Sequence, residues 1–379
     1  MQQEDHYTAS RVGSPRLEIS MAVIYPSKKL FAGHQKQKFA FTLLAVCFVI
    51  TAFVVDQPAI AMWVGFLFAG YSAIANDSIQ TIGTFIASNK DQARWKLFVW
   101  IGGIFLVTAF YSWFTYNGDV SYQRLAAKGF ETAPESFHYL QLAAPLFLIA
   151  LTRLRMPVST TFLLLSCFAA TGKSLGAVVV KSLSGYVIAF VCAMLLWGFL
   201  SPWMKRTFVG TPHPGWRVAQ WLTTGCLWSV WLQQDAANIA VFLPRSLNIW
   251  QFAIFAGVIL IGLGMLFFMG GEKIQEVVEE KSAVTDVRAG TVIDGIYAVI
   301  LYIFKIQSNV PMSTTWVFVG LLAGREIAMN WRQAGEDGRT VKDGLKLAGR
   351  DLLFVTIGFA ISVVIAAISN PAIADALFH

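Results

Sequence analysis

Apolar stretches of about twenty residues recur along this 379-residue chain and constrain its fold more than any other feature. A helix needs about 20 predominantly apolar residues to cross the hydrocarbon core of a bilayer. Only 13% of the residues are charged, against roughly 25% in soluble domains. Because a chain in lipid must satisfy its backbone polar groups internally, the pattern predicts an all-α, polytopic helical membrane protein in contact with the lipid bilayer.

Clusters of basic residues lie between the apolar stretches, for example NKDQARWK at 89–96 and MKR at 204–206. Such loops favour the cytoplasmic side of a membrane. The net charge of +7 therefore gives no support to nucleic-acid binding, and no basic fold motif accompanies it. Lysines also precede the first apolar stretch. We therefore expect residues 1–37 to be a cytoplasmic tail, and the protein to reside in the bacterial inner (plasma) membrane.

The apolar stretch 60–88 is too long for one simple crossing and contains a polar cluster. This cluster, NDSIQ at 76–80, holds Asn76, Asp77 and Gln80. Irregular backbone at membrane depth is tolerated where it is buried in protein or lines a cavity. The stretch therefore predicts a broken or re-entrant helix.

Two motifs occur twice, in the same order. AIANDSIQTIG precedes MPVSTT in the first half, and WLQQDAANIAV precedes VPMSTT in the second. Asp77 and Asp235 are 158 positions apart, and Pro157 and Pro311 are 154 apart. Two motifs in register indicate a duplication. We predict two inverted transmembrane repeats, residues 38–203 and 204–379.

The Pro-x-Ser-Thr-Thr motif is typical of a helix start, since proline suits the first turn. Free N–H groups and the positive end of the helix dipole make such a start favourable for an anion. Two starts related by a pseudo-two-fold axis could converge on one anion. The predicted anion ligands are Ser159, Thr160, Thr161, Ser313, Thr314 and Thr315, with Asn76 and Gln234 beside them. Helix capping or packing by the hydroxyls is the alternative.

Asp77 and Asp235 are candidate functional residues because an intramembrane carboxylate is costly. Two carboxylates would repel an anion, so we expect them to hold cations together with Gln80 and Asn238. Carboxylate, amide and hydroxyl oxygens suit a hard cation such as Na⁺. A proton on one aspartate is the alternative, as is a structural salt bridge to Arg245 or Lys90.

These motifs resemble those of the inorganic phosphate transporter (PiT) family, whose halves each carry a sequence like G-A-N-D-x-x-N-x-x-G followed by P-V-S-T-T-H. The resemblance covers residues 38–370, with clear identity only in the motifs. Gln80 and Gln234 stand where the family has asparagine, and Phe162 and Trp316 where it has histidine. The resemblance implies a cation-coupled symporter of a tetrahedral oxyanion, phosphate first, working by alternating access with Na⁺ or H⁺ as the coupling ion.

Several alternatives stay open at this point. Sulfate is also tetrahedral, so a sulfate permease of the same architecture is the second candidate, and an anion channel is the third. We expect neither an enzyme nor a cofactor, because no nucleophile is paired with a base. Arg245 either reaches the anion or marks a helix end. Asp294 is either functional or structural. A homodimer would bury large apolar faces, but the sequence does not decide it.

Overall fold

A computed structural model of the chain describes residues 29–126, 129–153, 158–270, 286–307, 309, 311–332 and 341–378. Its described residues form helices and connecting turns, with no strand. The α-helices are α1 (Lys29–Val54), α2 (Pro58–Thr81), α3 (Gly83–Ser88), α4 (Arg94–Thr115), α5 (Tyr139–Arg153), α6 (Gly172–Thr207), α7 (Gly215–Ala240), α8 (Ile249–Met265), α9 (Val287–Gln307), α10 (Thr314–Arg332), α11 (Val341–Ser369) and α12 (Pro371–Phe378).

Six helices in the described ranges are long and apolar enough to cross a membrane. They are α2, α4, α6, α8, α9 and α11, and in several of them the apolar stretch covers part of the helix or runs past its end. Helices α7 and α10 are long too, but they carry the predicted polar motifs. The all-helical membrane fold predicted from the sequence is confirmed.

The chain divides into two compact units, Met1–Leu43 and Leu44–His379. Helix α1 begins at Lys29, inside the predicted tail, and residues 1–28 of that tail lie outside the described residues. The two acidic motifs and the two Ser-Thr-Thr segments all belong to the second unit. Helix α6 continues to Thr207, so the predicted repeat boundary at 203 falls within a helix. A division between repeats would fit the connector 208–214 better.

The predicted interruption of the stretch 60–88 lies just after its polar cluster. Helix α2 ends at Thr81 and the short helix α3 begins at Gly83. The Thr81 hydroxyl donates to the Asp77 carbonyl oxygen over 3.1 Å. The break therefore comes two residues after Gln80, the last residue of the polar cluster, and it leaves Asn76, Asp77 and Gln80 on the last turns of α2.

The two Ser-Thr-Thr segments begin different structures. The first leads into a π-helical turn, Thr161–Leu165, and a 3-10 turn, Ser166–Phe168. The second begins the 19-residue helix α10. The helix start predicted at the first motif therefore leads into a short buried turn and not into a long helix, and Pro157 itself lies outside the described residues.

Helices α6 and α10 approach each other closely through two glycines. Gly320 and Gly324 are four residues apart, the spacing by which small residues let two membrane helices pack backbone to backbone. A Cβ atom on Gly320 would overlap the Tyr186 carbonyl oxygen, and one on Gly324 would overlap the Phe190 carbonyl oxygen. This contact fixes the helix that starts at the second Ser-Thr-Thr segment.

We predict that Gly324→Ala destabilises the protein by about 1–3 kcal/mol, because the added methyl group forces two backbones apart. Melting in detergent, followed by fluorescence-detected size exclusion, would show the lower midpoint. Gly257→Ala is the matched control, since a Cβ there meets nothing within 4 Å. Equal midpoints for the two variants would contradict the close-packing interpretation.

Candidate functional site

The predicted ligand residues come together in one buried polar cluster. The cluster consists of Asn76, Asp77, Gln80, Ser159, Thr160, Thr161, Gln234, Asp235, Asn238, Ser313, Thr314 and Thr315. Each of these twelve residues is at most 8% exposed. Four elements contribute them: the end of α2, the turn beginning at residue 158, the second half of α7, and the segment that starts α10. Residues far apart in the sequence, such as Gln80 and Thr315, are in hydrogen-bond contact here. We call this group the central polar cluster.

Asp77 is held by hydrogen bonds on both carboxylate oxygens. The Thr160 hydroxyl donates to Oδ2 over 2.6 Å. The Asn76 amide donates to Oδ1 over 2.7 Å, and the Gln80 amide does so over 3.3 Å. These donors compensate part of the cost of burying a carboxylate. Thr160 thus links the first Ser-Thr-Thr segment to the broken helix α2.

Asp235 has a similar but incomplete set of donors. The Asn238 amide donates to Oδ1 over 2.5 Å, and the Thr161 hydroxyl approaches the same oxygen at 3.4 Å. Thr314 lies beside the carboxylate, but Oδ2 has no hydrogen-bond partner of standard geometry. Since a buried carboxylate oxygen without a partner is costly, this oxygen is suited to a cation or an added proton.

The two Ser-Thr-Thr segments hold each other by reciprocal hydrogen bonds. The Thr161 hydroxyl donates to the Met312 carbonyl oxygen over 3.0 Å, and the Thr315 hydroxyl donates to the Val158 carbonyl oxygen over 3.4 Å. Each acidic motif likewise donates a side-chain amide to the Ser-Thr-Thr segment of the other half of the sequence. The Asn238 amide donates to Thr161, and the Gln80 amide donates to Thr315.

The serines cap their own segments in matching ways. The Ser159 hydroxyl accepts from the Phe162 backbone N–H over 3.1 Å, and the Ser313 hydroxyl accepts from the Trp316 N–H over 3.2 Å. Each hydroxyl keeps its own proton for donation. In this conformation the capping interpretation of the hydroxyls therefore describes the serines, whereas three threonines, Thr160, Thr161 and Thr315, join different elements.

The two first amides of the motifs differ in their partners. Asn76 donates to the Val158 carbonyl oxygen over 3.0 Å, inside the first Ser-Thr-Thr segment. Gln234 donates instead to the Leu301 carbonyl oxygen of α9 over 3.0 Å. The extra methylene of glutamine gives it the longer reach. The substitution noticed in the sequence thus connects the cluster to a neighbouring helix.

Four buried acceptor oxygens in the cluster have no hydrogen-bond partner among the described residues. They are Gln80 Oε1, Gln234 Oε1, Asp235 Oδ2 and Asn238 Oδ1. Buried polar atoms are almost always partnered. All four are oxygens of the type that hard cations prefer. No group of three or more His, Cys, Asp or Glu in the described ranges could hold a metal, so amide oxygens would carry much of any coordination.

The two residues that follow the Ser-Thr-Thr segments contact each other. Phe162 and Trp316 pack edge to face, with ring centroids 5.5 Å apart. Phe359 of α11 lies against both, at 4.8 Å and 5.9 Å. Aromatic packing therefore closes the cluster on this side, where the resemblance would have placed two histidines.

Arg245 does not join the central polar cluster through any of its hydrogen bonds. It donates to the backbone carbonyl oxygens of Phe130, Thr132, Val241 and Leu243. It therefore fastens the loop 116–138 to the end of α7. The helix-end interpretation of Arg245 agrees with its contacts to Val241 and Leu243 just after α7. Its contacts to the loop could not be predicted, because a lone arginine after an apolar run gives no information about which carbonyls surround it.

Arg124 is the main residue that the sequence did not indicate. It lies in the polar loop 116–138, yet it is only 1% exposed. Its Nε donates to the Gln233 carbonyl oxygen over 3.3 Å, and its charge acts on Asp235. Because it belongs to no motif and sits among mixed charges, only the tertiary structure reveals its burial.

Comparisons with known proteins identify the fold. A solved structure described as "The sodium-dependent phosphate transporter" matches with a TM-score of 0.54 and 18% identity, over 85% of this chain and 99% of that one. No family model matches the sequence, and no curated protein does. The likeness shows that the chain shares the fold of a membrane transporter. Together with the six apolar helices, it defines an integral membrane protein.

Asp294 forms a second buried polar contact that joins three helices. Its Oδ1 accepts from Thr84 of α3 over 2.7 Å, and its Oδ2 accepts from Thr224 of α7 over 2.5 Å. Close by, the Asn89 amide donates to Gln220 over 2.8 Å. Asp294 therefore ties α9 to the short helix behind the break, which favours the structural interpretation of this residue.

We predict that Asp294→Leu lowers the melting midpoint by several degrees, because two buried hydroxyls lose their acceptor at about 1–3 kcal/mol each. Asp294→Asn keeps one oxygen and is expected to melt close to the wild type. Thermal melting in detergent measures both variants. A leucine variant as stable as the asparagine one would show that these contacts do not hold the helices together.

Proposed function

We propose that this protein is a cation-coupled secondary symporter of a tetrahedral inorganic oxyanion, with phosphate as the substrate. The carrying observation is the set of unpartnered acceptor oxygens beside two buried aspartates. Acceptors in such a place suit cations, not anions. The solved structure of similar fold is named a sodium-dependent phosphate transporter, which supports Na⁺ as the coupling ion and phosphate as the cargo.

In this proposal Asp77, Asp235, Gln80 and Asn238 hold one or two Na⁺ ions. The carboxylates supply charge, and the amide oxygens complete the coordination. The hydroxyls of Ser159 and Ser313, which already accept from backbone N–H groups, turn their protons toward the oxyanion. The threonines, Asn76 and Gln234 frame the anion between the two segments.

Coupling follows from electrostatics. An oxyanion beside two bare carboxylates is repelled, whereas cations on those carboxylates attract it. Each ligand then raises the affinity for the other by the same factor. The described cluster is closed to solvent, with every member buried. Transport requires the two halves to move so that the cluster opens to each side in turn.

The proposal retains the two inverted repeats, with residues 38–207 and 215–379 as the halves. The reciprocal hydrogen bonds between the Ser-Thr-Thr segments support a pseudo-two-fold arrangement. A channel is less favoured, because the polar residues form a closed cluster and not a continuous path. The proposal also includes a cytoplasmic N-terminus and a homodimer.

Substitution of the two aspartates tests whether they bind the coupling cation. Asp77→Asn and Asp235→Asn should each abolish Na⁺-driven phosphate uptake, because the neutral amide keeps the side-chain shape but loses the cation's counter-charge. Uptake of labelled phosphate into proteoliposomes, under an imposed Na⁺ gradient and then a proton gradient, measures this. Asp91→Asn, at an exposed position paired with Arg217, is the control and should transport normally.

Different results would revise different parts of the proposal. Uptake of labelled sulfate in place of phosphate would keep the mechanism and change the cargo. Uptake driven only by the proton gradient would change the coupling ion. Normal Na⁺-driven uptake by either aspartate variant would contradict the cation assignment. Flux that ignores both gradients and never accumulates substrate would identify a channel.

Substitution of the two serines tests whether their hydroxyls bind the oxyanion. The double variant Ser159→Ala, Ser313→Ala should raise the KM for phosphate about a hundredfold, since two hydrogen bonds to a charged ligand are lost. The Na⁺ dependence should change little. Ser184→Ala is the control, because its hydroxyl donates to the Lys181 carbonyl within its own exposed helix turn. An unchanged KM in the double variant would remove the serine hydroxyls from the anion site.

A further inference from the structure

We propose that Arg124, with Lys181 and Lys305 around it, forms a basic vestibule that positions the oxyanion as it approaches Asp235. The inference rests on the proposed function, because the oxyanion is its ligand. Arg124 lies outside the repeated motifs, in the loop 116–138, which contributes no residue to the central polar cluster.

The backbone before Arg124 is held in an unfavourable conformation. Tyr122 and Gln123 have φ values of 53° and 61°, in the left-handed region that is unfavourable for residues with a Cβ atom. The Asp119 carboxylate accepts from the N–H groups of Ser121 and Gln123 over 2.6 Å and 2.7 Å. The Tyr122 hydroxyl donates to the Thr108 carbonyl oxygen over 2.7 Å. Such over-determined strain is typical of functional positions.

This anchored turn places Arg124 between α7 and α9. Its Nε donates to the Gln233 carbonyl oxygen of α7, and its Nη2 reaches the Lys305 carbonyl oxygen of α9 over 3.5 Å. Gln234 makes the neighbouring link between the same two helices, to Leu301, four residues before Lys305. Arg124 therefore contacts α9 about one helical turn away from the contact that Gln234 of the central polar cluster makes with it.

The guanidinium keeps its charge in this buried place. Burial lowers the pKa of Arg124 to about 10, while Asp235 acts in the opposite direction. The group is therefore cationic at neutral pH. A planar guanidinium that stays charged when it is buried attracts a tetrahedral oxyanion.

Two lysines extend the positive charge outward. The charge of Arg124 acts on both Lys181 of α6 and Lys305 of α9, and both lysines are partly exposed. The Lys305 ammonium lies 5.6 Å from the ring centre of Tyr122, the strained residue beside Arg124. The described basic side chains thus run from two partly exposed lysines to a buried arginine whose charge acts on Asp235. Basic side chains in such a row attract and guide an anion.

The same geometry predicts opposite effects on the two ligands. Arg124 attracts the oxyanion but repels a cation at Asp235. Removing its charge should therefore weaken phosphate binding and strengthen Na⁺ binding. A residue that only holds the loop in place would weaken both, or would lower stability without a preference. The sign of the Na⁺ effect separates positioning from a structural role.

The experiment compares Arg124→Gln, Arg124→Lys and wild type, purified in detergent and monodisperse. Equilibrium binding of labelled phosphate at fixed Na⁺ should show a Kd about tenfold higher for Arg124→Gln, with Arg124→Lys between it and the wild type. Calorimetric titration with Na⁺ in a choline buffer without phosphate should show a lower Kd in Arg124→Gln. Arg217→Gln, an exposed arginine at the start of α7, is the matched control and should match the wild type in both.

Each other outcome has a definite meaning. An unchanged phosphate Kd in Arg124→Gln overturns the vestibule and leaves the proposed function standing. Weaker binding of both ligands, with no rescue by lysine, assigns Arg124 a structural role only. If Arg124→Gln does not fold, Lys181→Gln and Lys305→Gln should each raise the phosphate Kd two- to threefold, about the worth of a partly exposed charge, and no change in either overturns the inference. A wild type that binds neither phosphate nor sulfate overturns the proposed function itself.

Discussion

The architecture depends on the burial of two carboxylates inside a helical membrane protein. Asp77 and Asp235 need hydrogen-bond donors that apolar side chains cannot offer. The donors come from amides one or three positions away on the same helices and from threonines on the facing segments. The short turns after residue 158 bring Thr160 and Thr161 to the carboxylates, and the backbone of these turns is buried in protein and not exposed to lipid.

Reciprocity between the two Ser-Thr-Thr segments makes the cluster a unit. Each segment donates a threonine hydroxyl to a carbonyl of the other, so neither half can move far without breaking bonds that both share. The two carboxylates differ in their hydrogen bonds. Asp77 has donors on both oxygens, whereas Asp235 has one oxygen without a partner of standard geometry. In the proposed mechanism, this difference lets the two carboxylates bind their cations with different affinities.

The loop 116–138 has a larger part than its polar composition indicates. Arg245 fastens it to the end of α7 through backbone carbonyls, and Asp119 fixes the turn that carries Arg124. The charge of buried Arg124 acts on buried Asp235, although the two residues belong to different parts of the chain. Next to the cluster, Phe162, Trp316 and Phe359 pack together. The cluster is therefore bordered both by a charged residue of the loop and by an aromatic group.

The sequence by itself determined the membrane class, the break in the stretch 60–88 and the twelve residues of the central cluster. Hydrophobic length and short motifs are local patterns, and lipid imposes the hydrophobic length on any chain that spans it. The tertiary structure decided how the pieces meet: the short turn in place of a helix at 161–168, the long reach of Gln234, the backbone contacts of Arg245 and the burial of Arg124. These depend on which surfaces face each other in space, and contacts between residues that are distant in the sequence leave no mark in the local sequence.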